Sequence, residues 1–157
     1  MLISTSVAVG VKSMFSGSMR GAAAGGYSDI TIINGDRCVK LRALRDTGAT
    51  IKDPVTGMGV LIVSPEAVSA LFEKRAANIL THCDPADPAA AICSLTALGL
   101  RFRLIPYRAV GVDRGLLLAF KPEKIVVDKR TRENLIIALS PNQISDNGAY
   151  SALLRVS

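Results

Sequence analysis

A short acidic motif is the part of this sequence best suited to chemistry. Asp46, Thr47 and Gly48 follow a mostly apolar run that begins at Leu41, and the turn sequence "KDPVTG" comes soon after them. A carboxylate at the end of an apolar strand is costly to bury unless it is paired, hydrogen-bonded or used in a reaction. Asp46 is therefore the candidate functional residue of the chain.

The letters D-T-G match the active-site loop of aspartic peptidases, in which two such loops place their carboxylates against each other. The two carboxylates share one proton because adjacent like charges resist joint ionisation. One carboxylate then takes a proton from water while the other gives a proton to the scissile carbonyl. Thr47 could donate its hydroxyl to the partner loop, and Gly48 would let the two backbones approach without a Cβ between them.

The same three letters also fit an ordinary turn, with Asp46 capping its own loop and Gly48 supplying a positive φ. The three letters alone leave both interpretations open. The apolar runs "GVLIV" and "LIIALS" favour the peptidase interpretation, since strands of this kind would hold the loop. The chain has no second D-T-G or D-S-G. A catalytic Asp46 would need its partner from a second subunit, which predicts a symmetric homodimer with the active site on the two-fold axis.

The pattern of apolar residues predicts a mainly β domain with one or two helices inserted between its halves. Residues 1–26 are rich in Gly, Ala, Ser and Met, which is typical of a flexible arm, so we expect the folded domain over 27–157. Two strands should flank the turn at Asn34-Gly35-Asp36. Further strands are predicted in four later runs: "RFRLIPY", "GLLLAF", "KIVVD" and "ENLIIALS".

Two helix starts can be read between these strand regions. Ser64, Pro65 and Glu66 supply a cap, a proline at the first helical position and an acid in the first turn, so a helix is predicted over 65–78. A second helix should begin with Asp87 as its cap and end at Gly99.

Composition narrows the function classes. The chain has 157 residues and a formal charge of +6, with 49% hydrophobic and only 4% aromatic residues. Its three cysteines match no C-x-x-C spacing and its single histidine has no cluster of further ligands, which argues against a disulfide framework and a zinc site. No window reaches the ~18 apolar residues of a membrane-spanning helix, so we expect a soluble domain without a metal.

Three longer stretches resemble one known family: "LRDTGATIKDPVTGMGVLIV", "RLIPYRAVGVDRGLLLAFKPEKIVVD" and "LIIALSPNQISDNGAYSALL". Together they are similar to the peptidase domain of the sporulation sigma-E factor-processing peptidases of endospore-forming bacteria, over about residues 40 to 154. The resemblance is more specific than D-T-G alone. D-T-G, the D-P-x-T-G turn, I-P-Y-R and G-L-L-L-A-F recur in one order.

The resemblance implies a retropepsin-like aspartic endopeptidase that needs no cofactor and acts as a homodimer. It would remove the pro-segment of an inactive sigma factor at the mother-cell membrane. The catalytic residue would be Asp46, with Thr47, Gly48 and Ala49 as its active-site loop. Family members also carry a multi-helix membrane domain before the peptidase domain and respond to a protein secreted from the forespore.

This chain departs from the family pattern in three ways. It lacks the membrane domain, and Ala49 stands where the family usually has asparagine, as in the D-T-G-A of viral peptidases. Arg45 occupies a position that is more often apolar. Strand alternation should point Arg45 away from Asp46. If Arg45 bent back towards Asp46, its charge would lower the pKa of the aspartate and prevent proton sharing.

The loop "RAVGVDRG" is a candidate flap, which would close over an extended substrate through Val110, Gly111 and Gly115. A plain surface hairpin fits the same residues. Asp53 is expected to form a turn rather than to act as a second acid.

Two other functions remain open for the whole chain. Its basic residues fit a solvated β surface, an anionic membrane or, as an alternative function, nucleic acid, although few aromatics are available to stack bases. A dimeric binding module that keeps the fold without catalysis is the other alternative.

Overall fold

The computed structural model describes residues 26–46, 51–109, 112–145 and 147–155. Within these ranges nine strands form one mixed sheet, in the order β4-β5-β8-β3-β9-β2-β1-β6-β7. The strands are β1 Tyr27–Asn34, β2 Arg37–Asp46, β3 Gly59–Val63, β4 Arg103–Ala109, β5 Val112–Phe120, β6 Lys124–Val127, β7 Arg130–Thr131, β8 Leu135–Leu139 and β9 Ala152–Arg155. The prediction of a mainly β domain is confirmed. The predicted arm lies outside the described residues except for Gly26.

The centre of the sheet is built from short apolar strands that are covered on both sides. β3 runs parallel to β8 and antiparallel to β9, and β9 runs parallel to β2. Successive side chains of a strand point to opposite faces. In β3, Val60 and Ile62 therefore face one apolar cluster while Leu61 and Val63 face the other. The run "GVLIV" is buried on both faces, as its sequence predicts.

The two clusters occupy the two faces of the sheet. The first is covered by the helices and includes Leu71, Phe72, Leu80 and Leu95 beside strand residues such as Leu61. The second carries residues of β2, β3, β8 and β9 together with the β4–β5 hairpin: Leu44, Val60, Ile62, Ile105, Tyr107, Leu117, Ala119, Ile136, Ala138, Tyr150 and Leu153. The second cluster lies on the face to which Asp46 also points, because Leu44 and Asp46 are two residues apart in β2.

The helices lie between β3 and β4, as predicted, but the first is interrupted. It comprises α1 at Pro65–Val68, a 3-10 turn at Ser69–Leu71, and α2 at Lys74–His82. Phe72 breaks the run because its backbone is extended, at φ −123° and ψ 160°. Its ring packs at 5.1 Å from that of Phe120, and its carbonyl accepts a hydrogen bond from Arg37. Tertiary packing thus overrides the helical pattern.

The third helix and the first turn follow the sequence closely. α3 spans Pro88–Ala97, the Asp87 side chain accepts a hydrogen bond from the Ala90 amide, and Gly99 ends the helix at φ +78°. The β1–β2 turn uses Gly35 at φ +65°. β9 is not among the strands predicted from the sequence.

Candidate active site

Asp46 is the last residue of β2 and its exposed fraction is only 2%. It borders a cavity of about 10 Å³, and the other described residues that line this cavity are Ile51 and residues of β3 and β9, including Arg155 at the end of β9. The β3 and β9 wall residues, Val60, Ile62 and Leu153, all belong to the second apolar cluster. The cavity has room for about one water molecule. The chain therefore buries its candidate carboxylate in a small, mostly apolar hollow.

Arg155 is a site residue that the sequence did not indicate. β2 and β9 pair in parallel with Asp46 opposite Arg155, so both side chains leave the sheet on the same face. Arg155 lines the Asp46 cavity, and its buried Nε has no hydrogen-bond partner among the described residues. Parallel pairing between strands about a hundred residues apart leaves no local pattern in a single sequence. The basic side chain of Arg155 therefore lies beside Asp46, and no sequence motif predicts it.

Arg45 points to the opposite face, as strand alternation predicts. Its strand neighbour Leu154 belongs to the first cluster. Its guanidinium lies 2.9 Å from the Asp128 carboxylate and donates to the Ser28 hydroxyl at 2.8 Å. The backbone amide of Asp29 is the largest influence holding the pKa of Asp128 below its usual value, and Ser28 and Arg45 act in the same direction against the opposing effect of burial. Arg45 is thus engaged away from Asp46.

The remaining predicted site residues are placed only in part. Thr47, Gly48 and Ala49 of the active-site loop lie outside the described residues, as do Val110 and Gly111 of the candidate flap. Gly115, the last predicted flap residue, lies in β5 opposite Tyr107 of β4.

The β4–β5 hairpin forms one edge of the sheet and contributes side chains to the face that carries Asp46. Its residues Ile105, Tyr107 and Leu117 belong to the same cluster as the walls of the Asp46 cavity. The pairing register shifts between Tyr107 and Ala109, near the tip of the hairpin. Such an irregularity bends a strand and re-aims its end.

Replacing Gly115 with alanine is expected to destabilise the domain by about 1–3 kcal/mol, because the new Cβ would overlap the ring of Tyr107, which is 8% exposed. Denaturant unfolding measures the loss. In a double-mutant cycle, Tyr107→Leu should relieve most of the clash, so the effects of the two substitutions should be strongly non-additive. Additive effects would show that Gly115 has another role.

Asp53 forms a turn, as its flanking residues predict. Its carboxylate, 1% exposed, accepts hydrogen bonds from Thr56 Oγ1 at 2.6 Å and from the Val55 amide at 3.1 Å. Arg103 Nη1 lies 2.6 Å from the same carboxylate. Burial raises the pKa of Asp53, but the hydrogen bonds from Thr56 and Val55 and the charge of Arg103 outweigh it, so the net pKa is lowered. Asp53 is therefore a structural acid, held ionised.

Among the described residues, no group of three His, Cys, Asp or Glu side chains could hold a metal ion. Within the same ranges, no helix is long and apolar enough to cross a membrane.

Comparisons with known proteins give the chain a family context. The family model described as sporulation factor SpoIIGA matches residues 3–157. The chain is 27% identical over 126 residues to the sporulation sigma-E factor-processing peptidase of Bacillus subtilis strain 168, covering 76% of this chain and 40% of that protein. It is 29% identical over 130 residues to a putative sporulation sigma factor-processing peptidase of Bacillus thuringiensis, covering 74% and 73%. No solved structure matches the chain.

Proposed function

Because the chain belongs to the sporulation factor SpoIIGA family, we propose that it is an aspartic endopeptidase that removes the pro-segment of a sporulation sigma factor precursor. Relatives that are named as processing peptidases support this substrate class. The chain spans about 40% of the Bacillus subtilis relative, so the proposal concerns this part of such a protein. The observation that carries the aspartic mechanism is Asp46, 2% exposed at the first position of D-T-G.

The proposed active form is a symmetric homodimer with one Asp46 from each subunit, since the chain holds a single D-T-G. The proposed fold class is retropepsin-like. Two features support it: a strand runs directly into the motif, and a long hairpin at the edge of the sheet contributes side chains to the face that carries the acid. Arg45, engaged with Asp128, does not oppose the arrangement. Arg155 lines the Asp46 cavity, so the shared dyad requires its guanidinium to be turned away from the shared proton.

In the proposed mechanism one Asp46 carboxylate takes a proton from water as the water oxygen attacks the scissile carbonyl carbon. The protonated Asp46 of the other subunit gives its proton to the carbonyl oxygen. As the tetrahedral intermediate collapses and the C–N bond breaks, the first Asp46 gives the proton taken from water to the departing nitrogen, and the second Asp46 takes back the proton of the hydroxyl that becomes the new carbonyl. Thr47, Gly48 and Ala49 would hold the two loops, and Val110, Gly111 and Gly115 would act in the flap. Water and two carboxylates suffice, without a cofactor.

We place this activity at a membrane surface, under the control of a secreted activating protein, as an extension of the same proposal. The formal charge of +6 supports the first part, because basic proteins are attracted to anionic lipids.

A subunit-mixing experiment tests the shared dyad. Wild-type chain is co-expressed with an equal amount of Asp46→Asn chain and the sigma factor precursor, and processing is followed by immunoblot. Random pairing leaves about a quarter of the dimers with two native carboxylates, so processing should run at about a quarter of the rate given by the same total amount of wild-type chain.

An independent active site in each subunit would instead leave about half of the rate, and that result would overturn the shared dyad. As the matched control, the second chain carries Asp36→Asn, which changes an exposed turn residue and should leave the full rate.

A further inference from the structure

A polar groove of about 920 Å³ adjoins the Asp46 cavity. Three residues, Ile51, Val60 and Arg155, line both spaces. The groove continues from there between the 52–59 turn on one side and residues 131–135 before and at the start of β8 on the other. A peptide lying in it would contact these three residues, which separate the groove from the buried Asp46.

The charges along this groove are unbalanced. Among the residues that the structure describes, four basic side chains and two acidic ones line it: Arg45, Lys52, Arg132, Arg155, Asp128 and Glu133. Arg45 and Asp128 neutralise each other through their ion pair. Within the described ranges, Lys52, Arg132 and Arg155 form no ion pair, and Glu133 is the only carboxylate left against them. The groove thus keeps two positive charges in excess.

The basic wall is held by several backbone contacts. Lys52 forms a β-bridge with Gly59, and the Gly59 amide donates to the Asn134 carbonyl at 3.0 Å, which joins the two sides of the groove. The buried Asp53 next to Lys52 anchors the same turn to Arg103. A cation on an ordered turn loses less freedom when it binds an anion, so its contribution to affinity is larger.

We propose that this groove selects substrates with acidic residues close to the scissile bond, which Lys52, Arg132 and Arg155 bind. The inference rests on the proposed endopeptidase function and adds the chemical class of the sequence it cuts. Basic side chains that lack partners attract carboxylates, steer the encounter and fix the register of the bound peptide. Arg155, in register with Asp46, would bind the acidic residue closest to the reaction.

Direct binding tests the groove without requiring cleavage. Fluorescence anisotropy would compare labelled hexaglutamate and hexalysine peptides on the wild-type chain, on Lys52→Glu/Arg132→Glu, and on Lys40→Glu/Lys124→Glu. The last variant makes the same charge change at two exposed positions outside the groove. The groove variant should bind hexaglutamate about tenfold more weakly than the control variant does. Equal affinities for the two variants would overturn the inference.

Cleavage of a degenerate peptide library separates this inference from the proposed function. Wild-type enzyme should cut at sites enriched about threefold in Asp or Glu within a few residues of the scissile bond, and the groove variant should lose that enrichment. Cleavage without acidic enrichment would overturn the groove proposal and leave the peptidase intact. Groove-dependent binding with no cleavage of any library peptide or of the precursor would overturn the peptidase instead.

Discussion

Replacing Asp46 with asparagine is expected to lower the rate of precursor processing by at least about 10³-fold. An amide of the same size can neither take a proton from water nor share one with its twin, so a dimer of the variant has no acid or base at its centre. Conversion of the precursor to its shorter form, followed over time in co-expressing cells, measures the loss.

The fold should survive this substitution, because asparagine fills the space of aspartate in the small cavity. Circular dichroism and sedimentation would show the same folded species for the variant as for the wild-type chain. Asp36→Asn is the matched control, since it removes an exposed carboxylate in the β1–β2 turn and should process normally. Processing by the Asp46→Asn chain at more than about a tenth of the wild-type rate would contradict the aspartic mechanism.

Much of the fold follows from local patterns in the sequence. Asn34 and Gly35 predict the first hairpin because the turn needs a positive φ, which Gly35 has. The apolar run "GVLIV" predicts a strand covered on both faces, and Asp87 with Pro88 predicts the start of α3. Asp46 follows an apolar run in the sequence, and in the structure it is the last residue of β2 and is buried.

Features that depend on contacts between residues far apart in the sequence could not be predicted from local patterns. The predicted helix over 65–78 breaks at Phe72 because that ring packs against Phe102 and Phe120, which also contact each other and lie 30 and 48 residues further along the chain. Arg155 lies beside Asp46 only because β9 returns parallel to β2. A periodic pattern shows which face of an element is buried but not what covers it, so the acid could be found in the sequence while its neighbouring cation could not.

The 52–59 turn joins the candidate site to the stability of the domain. It supplies Lys52 to the groove and Ile51 lies just before it, and its one buried charged side chain is Asp53. Arg103 at the start of β4 holds that side chain, so the turn is tied to the strand that leads into the candidate flap.

Replacing Asp53 with asparagine is expected to destabilise the domain by about 2–3 kcal/mol at neutral pH. The amide keeps the shape of the side chain but loses the charge that Arg103 faces at 2.6 Å. Arg103 is 36% exposed and can be hydrated, which keeps the loss below that of a fully buried pair. Urea unfolding at pH 7 measures the difference, and Asp36→Asn should change the free energy of unfolding by less than about 0.5 kcal/mol.

The pH dependence of this difference identifies its cause. The folded pKa of Asp53 is lowered, so its stabilising contribution is complete above the unfolded value of about 3.9 and is lost as the pH falls through the folded pKa. The gap in unfolding free energy between the wild-type chain and Asp53→Asn should therefore be full at pH 5 to 7 and should narrow as the pH is taken below about 4. A gap that is unchanged across this range would mean that the shape of the turn, and not the charge of Asp53, holds the wall of the groove.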